Sequence, residues 1–205
     1  MARPKRIWMP GAKYHVTCRG NHRNEIFRDN EDREVYLQIV RQSLSRFRYC
    51  LHCFCLMTNH VHLLLETTDV PIWLIMHYIN MSFTHYMNDK YELVGHLFQG
   101  RYGAEPVHEN DVMLFISRYI HLNPVRAGMV ANPEDYRWSS YRMFIGQESA
   151  DLVDPRPLLS QLGADVHFRY LDWCRTCVET EAFRKHLARQ QGTRVKQGPG
   201  TVNKV

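Results

Sequence analysis

Two patterns of hydrophobic and polar positions alternate along the N-terminal part of the chain. Short apolar or alternating runs are typical of strands, and apolar residues at three-and-four spacing are typical of amphipathic helices. The predicted strands cover 14–19, 49–57, 59–66 and 97–107 (one strand or a pair), and the predicted helices cover 29–48, 72–90 and 109–123. This order predicts an α+β, ferredoxin-like (RRM-like) fold, an antiparallel sheet with helices packed on it.

Turn and cap residues set several of these boundaries. Gly20-Asn21 predicts a turn after the first strand, and Asp29 or Asn30 predicts an N-cap. Thr58-Asn59 is turn-prone, so the two runs around it predict a hairpin. Pro124 is expected to stop the third helix.

The patterns weaken beyond Gly146. We expect a first domain at 1–146, a helical extension at 147–190 packed on it, and a disordered tail at 191–205 that is rich in Gly and Lys. Within the extension, short and long helices are predicted near 157–162 and 166–189.

The chain of 205 residues has a net charge of +5, and basic residues crowd its first thirty positions. A polyanionic partner such as nucleic acid accounts for this charge, and so does a solvated basic surface. No apolar run is long enough for a signal peptide or a membrane span, so we expect a cytoplasmic protein that does not enter a membrane.

Six cysteines include two C-x-x-C pairs, Cys50 with Cys53 and Cys174 with Cys177, a spacing that also occurs in zinc sites. The first pair lies in a predicted buried strand, where residues three apart point to opposite faces and do not share one ion. We therefore expect reduced, buried structural thiols.

Two histidines on a predicted strand are the first candidate for chemistry. The strand period of two places His60 and His62 on one face, with Val61 on the other, so two ring nitrogens can converge on one metal ion. Such pairs also occur as ordinary residues of a polar sheet face, and this alternative stays open at this point.

The third predicted helix offers a nucleophile and a further ligand. Tyr119 and Asn123 are four residues apart and share one helix face, so the amide oxygen of Asn123 can approach the ion while Tyr119 points at the same phosphate. The alternative is a packing tyrosine and a helix-ending asparagine. A phenol with a pKa near 10 is a poor nucleophile, and a cation that polarises the phosphate offsets this weakness.

The chain resembles the single-tyrosine branch of the His-hydrophobe-His nucleases, and within it the REP-associated tyrosine transposases of bacteria. The matching stretches are Pro10-Gly-Ala-Lys-Tyr-His-Val-Thr-Cys-Arg-Gly-Asn21, Met57-Thr-Asn-His-Val-His-Leu-Leu64, Phe98-Gln-Gly-Arg-Tyr102, Tyr119-Ile-His-Leu-Asn-Pro-Val-Arg-Ala-Gly128 and Trp138-Ser-Ser-Tyr141. For the last stretch the residues themselves suggest only helix packing.

The resemblance implies a structure-specific single-stranded DNA endonuclease and strand-transferase. In it, His60, His62 and Asn123 bind Mg²⁺ or Mn²⁺, and Tyr119 becomes linked to the 5′ phosphate and frees a 3′ hydroxyl. The implied substrate is a REP-like palindromic hairpin with a flanking tetranucleotide, at the nucleoid. Imidazole ligands suit manganese better than magnesium.

Basic and amide side chains supply the candidate DNA contacts. The loop after the first strand is the first candidate for base readout, the N-terminal residues for the DNA backbone, and Trp8 or Tyr14 for stacking on an unpaired base. The candidate DNA-binding residues are Arg3, Lys5, Arg6, Arg19, Asn21, His22, Arg23, Asn24, Arg101 and Arg126.

Two other functions remain open from the sequence: a hairpin-binding regulator of transposase descent that does not cut, and a metal-dependent nuclease that uses water. Insertion-sequence relatives are usually dimers that exchange tyrosine helices. We expect a monomer here because apolar residues of the extension cover the surface that a partner would occupy. These residues are Leu158, Leu159, Leu162, Phe168, Leu171, Trp173 and Phe183.

Overall fold

The alternating patterns fold into a four-stranded sheet with helices on both faces. The computed structural model describes residues 8–108, 110–176 and 184–189, without the side chains of 110 and 111. The strands are β1 (Lys13–Arg19), β2 (Cys50–Leu56), β3 (His60–Glu66) and β4 (Gly103–Val107). The helices are α1 (Asn30–Phe47), α2 (Ile72–Tyr91), α3 (Asn110–His121), α4 (Asn123–Arg126), α5 (Tyr141–Phe144), α6 (Arg156–Leu159) and α7 (Val166–Thr176), and 184–189 are also helical.

The strand order is β2-β3-β1-β4, with antiparallel neighbours throughout, which confirms the ferredoxin-like prediction. In the β1–β3 register, Cys18 lies opposite Val61 and Thr17 lies opposite His62. The Sγ atom of Cys18 is 3.5 Å from Asn80 of α2, so one face of the sheet lies under α2. The other face carries His62 and is covered by α3, which packs on β2 and β3.

The predicted start of α1 is confirmed by its capping box. Asp29 is the N-cap: its carboxylate accepts a hydrogen bond from the backbone N–H of Asp32, whose carboxylate accepts one from the N–H of Asp29. Lys90 of α2 bonds both carboxylates at 2.9 Å and, with the Asp32 N–H, lowers the pKa of Asp29 to about 2. These bonds join the start of α1 to the end of α2.

Pro124 does not stop the helical path, contrary to the sequence expectation. α3 ends at His121, and after Leu122 the chain enters α4, with Pro124 in its first turn. A proline there loses no helical hydrogen bond, because the first N–H groups of a helix have no partner within it. Asn123 therefore lies in α4, still one turn beyond Tyr119.

A β-bulge in β2 overturns the expected orientation of the first C-x-x-C pair. The register shifts between Leu51 and Cys53, so that Cys50 lies opposite Glu66 and Cys53 opposite Leu64, on the same face. Burial raises the pKa of Cys50 to about 11 and also raises that of Cys53, so both stay protonated thiols at neutral pH. The five described cysteines form no disulfide with one another, and Cys177 lies outside the described residues.

Trp138-Ser-Ser-Tyr141 does more than pack as a helix. The carbonyl of Trp138 accepts a 2.9 Å hydrogen bond from the N–H of Leu56 at the edge of β2. The buried Ser140 Oγ accepts a 2.9 Å bond from the N–H of Phe54 and lies 2.8 Å from His121 Nε2. The motif thus connects the edge of the sheet to the end of α3, the helix that carries Tyr119.

Ser140→Ala is expected to lower the free energy of unfolding by about 1–3 kcal/mol, because it leaves the Phe54 N–H and a His121 nitrogen buried without this partner. Urea unfolding followed by circular dichroism measures the change. Ser160→Ala is the matched control, since Ser160 is exposed and its hydroxyl donates to the carbonyl of Pro157. Equal stability of the two variants would contradict the assigned role of Ser140.

His121 makes the free energy of unfolding depend on pH. Burial lowers its pKa to about 3, against about 6.5 in an unfolded chain. The unfolded state therefore binds more protons below pH 6.5, and we expect the fold to lose about 2 kcal/mol between pH 7 and pH 5. His121→Gln should flatten this slope in denaturant titrations at several pH values; an unchanged slope would contradict the assignment.

Candidate active site

The paired histidines of β3 stand on the sheet face that α3 covers. Their ring centroids are 5.0 Å apart with an interplanar angle of 81°; His62 is buried and His60 half-buried. The strand period places them together, as the sequence predicts.

Asn59 fixes the orientation of His60. Its Oδ1 is 2.7 Å from His60 Nδ1 and accepts the proton of that nitrogen, so the neutral ring has its lone pair on Nε2. The Nδ2 atom of Asn59 donates to the carbonyl of Arg23 at 3.0 Å. Asn59 thereby connects the loop after β1 to the histidine pair. The sequence predicts only a turn at Asn59 and does not predict this role.

Tyr119 lies beside the histidines. Its ring centroid is 5.8 Å from that of His62, with the two rings perpendicular, and the guanidinium of Arg126 lies 5.1 Å from the Tyr119 ring centroid. The predicted nucleophile on α3 and Arg126 on α4 thus lie together beside His62 of β3.

Asn123 turns its amide nitrogen back toward α3. Its Nδ2 donates to the carbonyl of Tyr119 at 2.8 Å and to that of Ile120 at 3.4 Å. This bonding directs Oδ1, the atom that suits a hard metal ion, away from the helix end.

Two further histidines belong to this face and were missed from the sequence. His15 of β1 is buried, with Nε2 3.1 Å from His62 Nδ1 and its ring centroid 5.9 Å from Tyr119. Its Nδ1 is 3.2 Å from Nε2 of His186, which is buried in the helical stretch 184–189. Burial lowers the pKa of His186 to about 4, so it is neutral at pH 7.

Glu105 was missed as well. It lies opposite His15 in the β1–β4 register, on the same sheet face. Burial raises the pKa of its carboxyl group, while Arg189 and His108 oppose the shift. The only signal in the sequence was its position in a predicted strand, which does not give the pairing partner.

The family model described as "Transposase IS200 like" matches residues 9–123, more than half of the chain. The chain belongs to the family of IS200-like transposases. Membership assigns it to DNA transposition. Among the described residues, no three His, Cys, Asp or Glu side chains form a group that could hold a metal ion.

Two solved structures are similar to this transposase. The first is a REP-associated tyrosine transposase bound to a REP hairpin, with 16% identity, a TM-score of 0.63, and coverage of 75% of this chain and 94% of that chain; this likeness shows the shared fold. The second is a transposase candidate from Deinococcus radiodurans R1, with 21% identity, a TM-score of 0.42, and coverage of 58% and 95%. No curated protein matches the sequence.

The loop after β1 presents most of the predicted DNA-reading side chains of the transposase to solvent. It forms a 3₁₀ turn at Asn21–Arg23, with His22, Arg23 and Asn24 exposed and Arg19 and Asn21 half-buried. A Cβ atom at Gly20 would lie 2.1 Å from the carbonyl oxygen of Asn24, so this tight turn requires glycine.

The other predicted DNA contacts come from other parts of the sequence. Arg101 is exposed and lines a groove of about 730 Å³ with Trp73 of α2. Arg3, Lys5 and Arg6 fall outside the described residues.

Trp8 or Tyr14 was expected to stack on an unpaired base. Tyr14 is 4% exposed and belongs to the core, so the expectation is wrong for Tyr14. Trp8 is half-buried, meets the Trp73 ring edge-on and donates from Nε1 to Thr67.

The extension of the transposase packs on α3. Leu158 and Leu159 are buried, and the Trp173 ring centroid lies 4.8 Å from that of Phe115. Phe168 is 71% exposed, so it does not cover the surface as expected, and Phe183 lies outside the described residues. No helix within 8–108, 110–176 and 184–189 is long and apolar enough to cross a membrane.

Proposed function

We propose that this transposase is a single-stranded DNA endonuclease and strand-transferase that acts on REP-like palindromic hairpins through a 5′-phosphotyrosine intermediate. The observation that carries the proposal is the Tyr119 ring, 5.8 Å from the His62 ring and beside Arg126, in a chain of the IS200-like family. The shared fold with a protein bound to a REP hairpin supports the choice of a hairpin substrate. A tetranucleotide flanking the hairpin is part of the proposed substrate. We further propose that it acts as a monomer, in the cytoplasm at the nucleoid.

We propose that three residues of the site hold a divalent ion. His60 has its Nδ1 hydrogen bonded to Asn59, and His62 has its Nδ1 against His15, so Nε2 is the ligand atom in both rings. With Oδ1 of Asn123, they make a set of two imidazoles and one amide for Mg²⁺ or Mn²⁺, of which manganese suits the nitrogen ligands better. When bound, such an ion polarises the scissile phosphate and neutralises charge that develops on its non-bridging oxygens.

The residues of the chain perform the remaining steps. The Oη atom of Tyr119 attacks the phosphorus, the bond from phosphorus to the 3′ oxygen breaks, and that oxygen takes up a proton as the phenolic proton is lost. The phosphotyrosine keeps the energy of the broken ester, so a 3′ hydroxyl can reverse the step and rejoin DNA. The guanidinium of Arg126 faces the Tyr119 ring and stabilises negative charge as it develops on the phenol.

The DNA contacts divide by their place in the fold. We assign the exposed Arg23 and Asn24 of the loop to base readout, since arginine pairs with guanine and asparagine with adenine. Arg19 and Arg101 are assigned to phosphates, as are Arg3, Lys5 and Arg6. Because Asn59 bonds both Arg23 and His60, hairpin binding at the loop is coupled to the geometry of the histidine pair.

A labelled hairpin oligonucleotide with flanking single strands tests the proposal against its two alternatives. With Mn²⁺, we expect cleavage and a protein-linked DNA band on a denaturing gel, and neither product in excess chelator. Binding without cleavage would favour the non-catalytic hairpin-binding regulator. Cleavage without the linked band would favour a nuclease that uses water.

A further inference from the structure

Three buried imidazoles form a hydrogen-bonded row that begins at His62 of the candidate metal site. His62 is on β3, His15 on β1 and His186 in the stretch 184–189, and they are 1%, 0% and 5% exposed. The row runs from His62 Nδ1 to His15 Nε2 at 3.1 Å, and from His15 Nδ1 to His186 Nε2 at 3.2 Å. The rings of His15 and His186 are stacked, with centroids 5.5 Å apart and an interplanar angle of 17°.

The row has two possible arrangements of protons. A neutral imidazole has one N–H donor and one acceptor nitrogen. A ring of the row that accepts a hydrogen bond from one neighbour therefore donates one to the other neighbour. In one arrangement His62 donates from Nδ1 to His15, and His15 donates from Nδ1 to His186. In the opposite arrangement His186 donates to His15, His15 donates to His62, and the proton of His62 is on Nε2.

Only the first arrangement leaves a lone pair on Nε2 of His62, where the proposed metal ion binds. A metal-binding histidine usually donates its other N–H to a neighbouring acceptor, which fixes the ring and increases its basicity. Asn59 does this for His60, and the row of histidines supplies the same support for His62 from two distant segments of the chain.

We propose that His15 and His186 are positioning residues that hold His62 in its metal-binding tautomer. The proposal rests on the proposed function, since it requires His60 and His62 to bind a divalent ion. It gives the stretch 184–189 a part in building the site: Nε2 of His186 is the acceptor that orients His15, and His15 is the acceptor that orients His62.

Imidazole ¹⁵N NMR on the wild-type protein tests the tautomers without any substitution. Zinc serves as the probe because it is diamagnetic and binds imidazole. With Zn²⁺ bound, we expect His62 to coordinate through Nε2 and His15 to carry its proton on Nδ1. A proton on Nε2 of His15 in the zinc-bound protein would overturn the proposal. Zinc without effect on the His62 signals would contradict the metal site and, with it, this inference.

Calorimetric Mn²⁺ titration gives the second readout, which does not depend on cleavage. His15→Phe should weaken binding about 10–100-fold, the usual effect of losing a supporting partner. His15→Gln should recover most of that loss, because its Oε1 replaces the acceptor. His186→Phe keeps the stacked ring and should cause a smaller loss.

The control is His167→Gln on α7, where His167 bonds the carbonyl of Phe144, and it should bind Mn²⁺ like wild type. Thermal unfolding shows which variants remain folded. A folded His15→Phe variant with wild-type Mn²⁺ affinity would overturn the inference, whereas His60→Ala with wild-type affinity would overturn the proposed metal site itself.

Discussion

Tyr119→Phe is expected to reduce hairpin cleavage by about 10⁴-fold or more and to abolish the protein-linked DNA band. The substitution removes only the hydroxyl, so no oxygen remains to form the phosphodiester with the 5′ phosphate. The ring contacts with His62 and Arg126 are kept, so hairpin affinity should stay close to that of wild type. Single-turnover cleavage of labelled hairpin DNA measures the first effect and a filter-binding titration the second.

Tyr78→Phe is the matched control. It removes a tyrosine hydroxyl on α2, where Tyr78 donates to Gln42. We expect this variant to cut and to form the linked band like wild type. If Tyr119→Phe still forms as much linked DNA as Tyr78→Phe, the nucleophile is another residue.

The double variant His60→Ala and His62→Ala is expected to lose cleavage by about 10³-fold or more and to lose Mn²⁺ binding. The two imidazoles supply both nitrogen ligands, and metal polarisation of a phosphate contributes several kcal/mol to the transition state. Cleavage rates across a Mn²⁺ titration, with calorimetry on the same samples, separate a lost metal from a lost fold.

His85→Ala, an exposed histidine of α2, is the control for this experiment and should behave like wild type. Cleavage by the double variant at the wild-type rate, or full activity of the wild type in excess chelator, would remove the metal from the mechanism.

Local sequence patterns predicted those parts of the site whose residues lie close together along the chain, within one strand or one helical path. The strand period placed His60 and His62 on one face, and spacing along the helical path kept Asn123 within hydrogen-bonding reach of the Tyr119 carbonyl. The N-cap at Asp29 or Asn30 was predictable because a cap joins residues that are three apart along the chain. In each case the relevant contact lies within a few residues along the chain, where periodicity and side-chain chemistry determine it.

Contacts between distant segments were not predictable in this way. The bulge after Leu51 reverses the face of a cysteine, and no residue type in β2 signals it. His15 meets His62 only because β1 pairs with β3 in one register, and His186 joins them from more than a hundred residues away. The expectation for Pro124 was wrong because proline, which is disfavoured in the interior of a helix, is accepted in its first turn.

Mass spectrometry of the trapped protein–DNA adduct tests the central claim most directly. Wild-type protein is incubated with Mn²⁺ and a hairpin substrate whose 3′-hydroxyl product dissociates after cleavage, so that the strand is not rejoined. The denatured adduct is then digested with protease and nuclease. We predict a single modified peptide that carries a nucleotide, attached through its 5′ phosphate to Tyr119. Attachment at another residue, or through a 3′ phosphate, would contradict the account.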